Sequence, residues 1–220
     1  MGTVRTGAHE LRVGICEDQP LYREMLERLL ADVPGFRVRT AGTVSEARAH
    51  WRAVELDVAL LDFNLPDGTA LDIGLEFREK NPDLGIVILS AVDRSVALLD
   101  LDPVEADRWS YLSKSSAVSA TTLIHAIEAT AAGHCVIDPG TVSARIPRAG
   151  SSIASLSSRQ QEVLRLVAQG YTNQAIAGQL GIAVNSVNNH VNSLYSVLGL
   201  NASDRNPRVR AVHAFLEGSA

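Results

Sequence analysis

The sequence predicts an α/β domain, a doubly wound five-stranded parallel sheet, followed by a small all-α domain. Three observations carry this reading. From Arg12 onward, short apolar runs alternate with amphipathic stretches of helical length, the pattern of a parallel sheet covered by helices. Near Pro139 that pattern dissolves into a stretch rich in Gly, Ser, Pro and Ala, residues 139–155. Beyond it, helical spacing returns with no strand pattern.

The five strands are expected at residues 12–17, 36–41, 58–63, 85–90 and 109–113. Between the first two, Leu21, Met25, Leu29 and Leu30 recur at helical spacing after Pro20, whose fixed φ and missing N–H suit a first helical turn. Residues 45–52, 70–80, 95–101 and 117–132 read as the other helices, with Gly133 ending the last. The first domain then covers 11–135 and an interdomain linker 136–154. In the second, 155–220, three helices are expected at 157–169, 173–180 and 185–198, with Leu156, Val163, Leu164, Ile176, Val187, Val191 and Leu194 on their apolar faces. A fourth begins at Pro207 with Asn206 as N-cap, and its Val209, Val212, Phe215 and Leu216 close the core or pair with a second subunit.

Composition excludes several classes. Of 220 residues, 46% are hydrophobic and 20% charged, unlike a disordered chain or a coiled-coil rod. Apolar runs such as 58–61 and 86–89 are too short to cross a bilayer, and residues 1–9 lack a signal-peptide core, so a cytoplasmic location is expected. Cys16 and Cys135 are the only cysteines, with no CxxC or His/Cys cluster, which reads as two inert buried thiols. Charge is uneven: residues 1–140 carry 13 Lys and Arg against 22 Asp and Glu, whereas 151–220 carry 5 against 3. An acidic control domain joined to a mildly basic binding domain fits that balance.

Glu17 and Asp18, Asp62, Ser90 and Lys114 all fall where an expected strand ends. In an open parallel sheet the carboxyl ends of the central strands line the ligand crevice. Three carboxylates gathered there repel one another unless a cation compensates, and Mg²⁺ takes oxygen ligands while keeping places for water or a phosphoryl group. A Lys and a hydroxyl nearby supply a point charge and a donor for phosphate. Asp62, central and followed by the turn Leu65-Pro66-Asp67-Gly68, is the candidate nucleophile for an acyl phosphate.

These segments, Ile15-Cys16-Glu17-Asp18, Asp62-Phe63-Asn64-Leu65-Pro66, Ile88-Leu89-Ser90 and Tyr111-Leu112-Ser113-Lys114, resemble the receiver domain of bacterial two-component response regulators, a flavodoxin-like fold. The resemblance implies that a sensor histidine kinase phosphorylates Asp62. It also implies Mg²⁺ on Glu17, Asp18, Asp62 and the Asn64 backbone carbonyl, with Ser90 and Tyr111 at the switch positions and Lys114 on the phosphate. One departure stands out: between Asp100 and Tyr111 the family has a short Gly-Ala turn, whereas this chain has a longer segment containing Trp109, a packing anchor or part of a partner surface.

In the second domain, Gly181 lies in a tight turn before the third helix, as in a helix-turn-helix whose second helix enters the major groove. Its polar face carries Asn185, Ser186, Asn188, Asn189, His190 and Asn192, and Asn reads adenine edges well. The segments 156–164, 170–177 and 186–191 resemble the LuxR-type DNA-binding domain of the NarL/FixJ class, which adds Thr172 and Asn173 to the expected DNA contacts and implies a homodimer on promoter DNA. Here too the chain departs from the family. Asn188 stands where Lys is common, Val197 where a basic residue is frequent, and Ala183 where a Ser N-cap is usual, so the helix carries no Lys or Arg. Arg205, Arg208 and Arg210 restore positive charge.

The expectation is a phosphorylation-dependent transcription regulator, not an enzyme. A phosphotransferase of the haloacid-dehalogenase type needs a second Asp two residues after the nucleophile, and this chain has Asn64. The alternative on the same fold is a phosphorylation-independent regulator or protein-binding adaptor.

Overall fold

A run of buried aliphatic residues builds the first strand, β1 (Leu11–Cys16), in which Val13, Ile15 and Cys16 are fully covered. The computed structural model describes residues 10–101, 106–201 and 206–220. β1 pairs in parallel with β2 (Phe36–Ala41) and with β3 (Val58–Asp62), Val13 lying opposite both Val38 and Val58. Every residue of β3 is buried, as expected of a central strand with both faces covered, while β2 alternates like an edge. With β6 (Gly85–Ser90) and β7 (Trp109–Ser113) the sheet has five strands in the order β2-β1-β3-β6-β7, the doubly wound parallel fold the sequence predicts.

The chain packs as two compact units that divide after Ile86. In the first, α1 (Pro20–Ala31) starts on Pro20 and buries Leu26 and Leu30. α2 (Val44–His50) is capped by Thr43, and α3 (Ala70–Lys80) by Thr69. Between β3 and α3, β4 (Asn64–Leu65) and β5 (Gly68–Thr69) form a hairpin around Pro66 and Asp67. Gly14 has a packing reason: a Cβ there would lie 2.9 Å from the Trp51 ring.

In the second unit the structure corrects three expectations. Residues 95–101 form a 3-10 helix, Ser95–Asp100, whose first N–H is held by the Asp93 carboxylate in place of a regular helical turn. The single helix expected at 117–132 is two, α4 (Lys114–Ala117) and α5 (Ala120–Ala131), because Ser113 and Ser119 each cap a new N-terminus. Gly133, at φ 91°, ends α5 as expected. The stretch read as linker is structured: α6 (Pro139–Ala144) starts on Asp138 and Pro139, and Tyr111 N–H donates to Val136 O, adding residues 136 and 137 to the edge of β7. Trp109 is fully buried, the packing reading.

α7 (Ser158–Ala168) opens with a Ser157/Gln160 capping box. It packs with α8 (Asn173–Leu180), α9 (Val184–Val197) and α10 (Pro207–Gly218) around Val163, Leu164, Val167, Ile176, Val187, Leu194, Val212 and Phe215. The apolar face of the last helix is thus core. Asn206 caps it, and Ala183 leaves α9 without a side-chain cap. α10 also packs against the 3-10 helix. Its end is tied back to the segment before α7: Ile146 and Ala220 exchange two backbone hydrogen bonds, and Arg148 N–H donates to Gly218 O. Arg145, 7% exposed, donates to Leu216 O, Ser219 O and Ser95 Oγ.

Candidate functional site

Glu17 and Asp18 directly follow β1, and β3 ends on Asp62. Strand pairing brings these ends side by side, and one carboxylate oxygen from each lies within 4.8 Å of the others. Glu17 is buried, Asp62 is 6% exposed and Asp18 is exposed, so the cluster opens to solvent on one side. Glu17 Oε1 accepts from Gln19 N–H at 3.1 Å, and Arg23 donates to the Glu17 backbone carbonyl. Asn64 N–H donates to Asp62 Oδ1 at 3.4 Å, which sets Asn64 at the base of the hairpin beside the cluster.

The negative field of the cluster is felt by its neighbours. Burial foremost, then the charges of Asp67, Asp62 and Glu17, push the Cys16 thiol up to about 12. Tyr22 is also raised, by burial first and then by Glu17 and Asp62. An all-oxygen donor set of three carboxylates with one open side suits a hard divalent cation such as Mg²⁺, which keeps waters or a phosphoryl oxygen in its remaining places.

The hairpin tip has a role that sequence reasoning missed. Asp67 accepts from the N–H groups of Val44 and Ser45, at 2.8 Å each, and from Ser45 Oγ at 2.6 Å. The Ser45 hydroxyl contributes most to holding the Asp67 carboxyl below the usual carboxylate range. The turn signal at residues 65–68 was visible, but its partner, 22 residues away on α2, was not.

In the second unit, Ser90 closes β6 and is 3% exposed. It meets Tyr111 at Val92, whose N–H donates to Ser90 Oγ at 3.4 Å and whose carbonyl accepts from Tyr111 Oη at 2.8 Å. Tyr111 is fully buried and also accepts from Arg94 N–H at 3.2 Å. Lys114, half-buried, opens α4 directly after β7.

On α9, Val187, Val191 and Leu194 face inward, which leaves Asn185, Asn189 and Asn192 exposed and Ser186, Asn188 and His190 half-buried. Thr172 caps α8, accepting from Ala175 N–H, and Asn173 Nδ2 donates to Asn188 Oδ1 at 2.8 Å. Arg208, expected only to restore positive charge, donates to Asn173 Oδ1 and to Tyr171 O. Arg205 lies outside the described residues. Ser193 and Ser196 are exposed on the same helix and were not anticipated; Ser193 Oγ accepts from Gln160 Nε2.

Comparison with known proteins defines the class. Residues 13–128 match the response regulator receiver domain, and residues 154–205 match the bacterial regulatory proteins of the luxR family. The chain belongs to the response regulators that carry a receiver domain followed by a LuxR-type DNA-binding domain. It is 30% identical over 206 residues to a probable transcriptional regulatory protein NarL of Mycobacterium tuberculosis, covering 89% of this chain and 90% of the relative. It is 28% identical over 197 residues to the DNA-binding transcriptional activator DevR/DosR of the same organism, covering 86% and 89%. A solved structure of two RcsB dimers bound to two parallel DNAs shares the fold at a TM-score of 0.51 and 20% identity, over 93% of this chain and 98% of that one. No helix among the described residues is long and apolar enough to cross a membrane.

Proposed function

We propose that this response regulator is switched by phosphorylation of Asp62 and then binds promoter DNA as a homodimer. The observation that carries the reading is the Glu17–Asp18–Asp62 cluster beside the Asn64 turn. Mg²⁺ would be held by the three carboxylates and the Asn64 backbone carbonyl, and would supply charge neutralisation for the incoming phosphoryl group. A carboxylate oxygen of Asp62 attacks phosphorus of a phosphohistidine on the partner kinase. The P–O bond forms as the P–N bond breaks, and the imidazole nitrogen leaves with the electron pair.

The acyl phosphate adds about 1.5 to 2 negative charges. Lys114 supplies a point charge for it and Ser90 a hydrogen-bond donor. Ser90 shares Val92 with the buried Tyr111, so a shift of the Ser90 hydroxyl is felt at both ends of the segment following β6. The DNA-facing set is Thr172, Asn173, Asn185, Ser186, Asn188, Asn189, His190 and Asn192. With no Lys or Arg on α9, few phosphates are neutralised there, which makes the salt dependence shallow and gives dimerisation a large share of the affinity. A DNA-binding regulator with no catalysis beyond its own phosphoryl chemistry works in the cytoplasm.

The test is intact mass and oligomeric state of wild type and Asp62→Ala, with Mg²⁺ and acetyl phosphate. A gain of one phosphoryl mass together with a shift towards dimer, in wild type alone, is the expected result. A folded wild type with neither change overturns the phosphorylation switch in favour of a phosphorylation-independent regulator.

A further inference from the structure

The orientation of one recognition-helix amide is set by a relay that starts outside the recognition helix. Arg208 on α10 is donor-only, because a guanidinium has no acceptor. Its Nη1 lies 3.2 Å from a side-chain atom of Asn173, which must therefore be the oxygen, Oδ1. The other end of that amide, Nδ2, then donates to Asn188 Oδ1 at 2.8 Å. Asn188 Oδ1 is thereby turned toward Asn173 with one of its two lone pairs engaged, and its Nδ2 donates to no acceptor among the described residues. It lies on one stripe of α9 with Asn185 three residues before it and Asn192 four after, both exposed.

Arg208 is itself fixed. A second guanidinium nitrogen donates to Tyr171 O, at the turn between α7 and α8. Rotating either amide by half a turn would place two donors face to face at Arg208 or at Asn173, so the relay has one consistent arrangement.

We infer that Arg208 and Asn173 are positioning residues that turn the Nδ2 end of the Asn188 amide toward DNA, so that its partner there is an acceptor on the duplex. The acceptor is a base edge, guanine O6/N7, adenine N7 or thymine O4, or else a phosphate oxygen. The inference rests on the reading that α9 enters DNA.

Asn173→Asp tests it, because it reverses the relay. A carboxylate at 173 still accepts from Arg208 but cannot donate, so Asn188 must turn its Nδ2 inward and present Oδ1 to DNA. Asp is also well tolerated in the first turn of a helix, where Asn173 sits. Full-length wild type, Asn173→Asp, Asn188→Ala and the double variant, each treated with Mg²⁺ and acetyl phosphate, are used to select duplexes from a library with a random core at low salt. Wild type should deplete cytosine, which offers no major-groove acceptor, about five-fold at one position per half-site, the factor for one hydrogen bond of about 1 kcal/mol. Asn173→Asp should instead deplete guanine and thymine, which offer no major-groove amino donor, at that position and admit cytosine, and the double variant should match Asn188→Ala.

Methylphosphonate substitution along the selected duplex reads the phosphate arm. One substitution that weakens wild type about five-fold but not Asn188→Ala identifies a phosphate oxygen as the acceptor. Unchanged selection by Asn173→Asp, with no phosphate effect that depends on Asn188, overturns the relay while leaving DNA binding intact. Recovery of no duplex by wild type whose phosphorylation is verified by intact mass overturns the DNA reading, and the relay's role falls with it.

Discussion

Arg145 is the residue whose loss should be felt most widely. It lies in the stretch whose composition marks a linker, yet it is 7% exposed. Nη1 donates to Leu216 O at 3.1 Å and Ser219 O at 2.9 Å, and Nη2 to Ser95 Oγ at 3.1 Å, with Asp93 3.9 Å away. Arg145→Met keeps the apolar stem and removes every donor, leaving two carbonyls and a buried hydroxyl without theirs. At about 1–2 kcal/mol for each orphaned group, less the relief of the guanidinium's own desolvation, the net loss is about 3 kcal/mol. That is a large share of the roughly 5–15 kcal/mol that holds a typical domain folded. Arg145→Lys retains the charge but cannot span both sides from a single nitrogen, so about half the loss should remain. The assay is equilibrium urea unfolding of the full chain, comparing midpoints at equal slope. A Met variant within about 1 kcal/mol of wild type would refute the claim that Arg145 joins the segment after β6 to the end of α10.

Two further outcomes follow from burial. Cys16 and Cys135 are both buried free thiols pushed up to about 12, Cys135 by burial alone, so neither should react with a disulfide reagent at pH 8 until the chain is unfolded, when both react. Rapid labelling of the native protein would contradict this. His213 on α10 is 6% exposed, and burial lowers its pKa against the opposing charge of Glu217. A histidine depressed in the folded state contributes stability that is full above its unfolded value of about 6.5 and is lost as pH falls below it. The urea midpoint should therefore drop between pH 7.5 and 5.5, and drop less in His213→Gln. His134, lowered in the same sense by burial, keeps part of the effect in that variant, and equal drops in the two proteins would exclude His213 as a source.

The sheet was legible because its apolar runs are short, complete and separated by helical spacing. β2 and β6 fall on the expected residues, and β3 is one residue shorter. The acidic cluster was legible for a related reason: in a parallel sheet, polar residues at strand ends converge whatever the intervening helices do. Local competition hid the rest. Ser119 could be read as one more residue of a long helix or as the cap of a new one, and only packing decides. α6 has six residues, too few for periodicity to show, although the Asp138-Pro139 pair that starts it was in plain view. Asn188 and Arg208 lie 15 and 35 residues from Asn173, and no periodic pattern links them. Arg145 was the least legible of all, since a Gly- and Ser-rich context argues for solvent.

Asp67 offers a consequence of another kind. The N-terminal amides of α2 are satisfied in two ways: Val44 and Ser45 by the hairpin tip, Glu46 and Ala47 by Thr43. A helix of seven residues does not persist by itself in water, so its first turn depends on the loop that follows Asp62 staying in place. The amide hydrogens of Val44 and Ser45 are in effect a built-in reporter. Their exchange with deuterium tracks the opening of that loop without any label, probe or substitution at the acidic cluster itself.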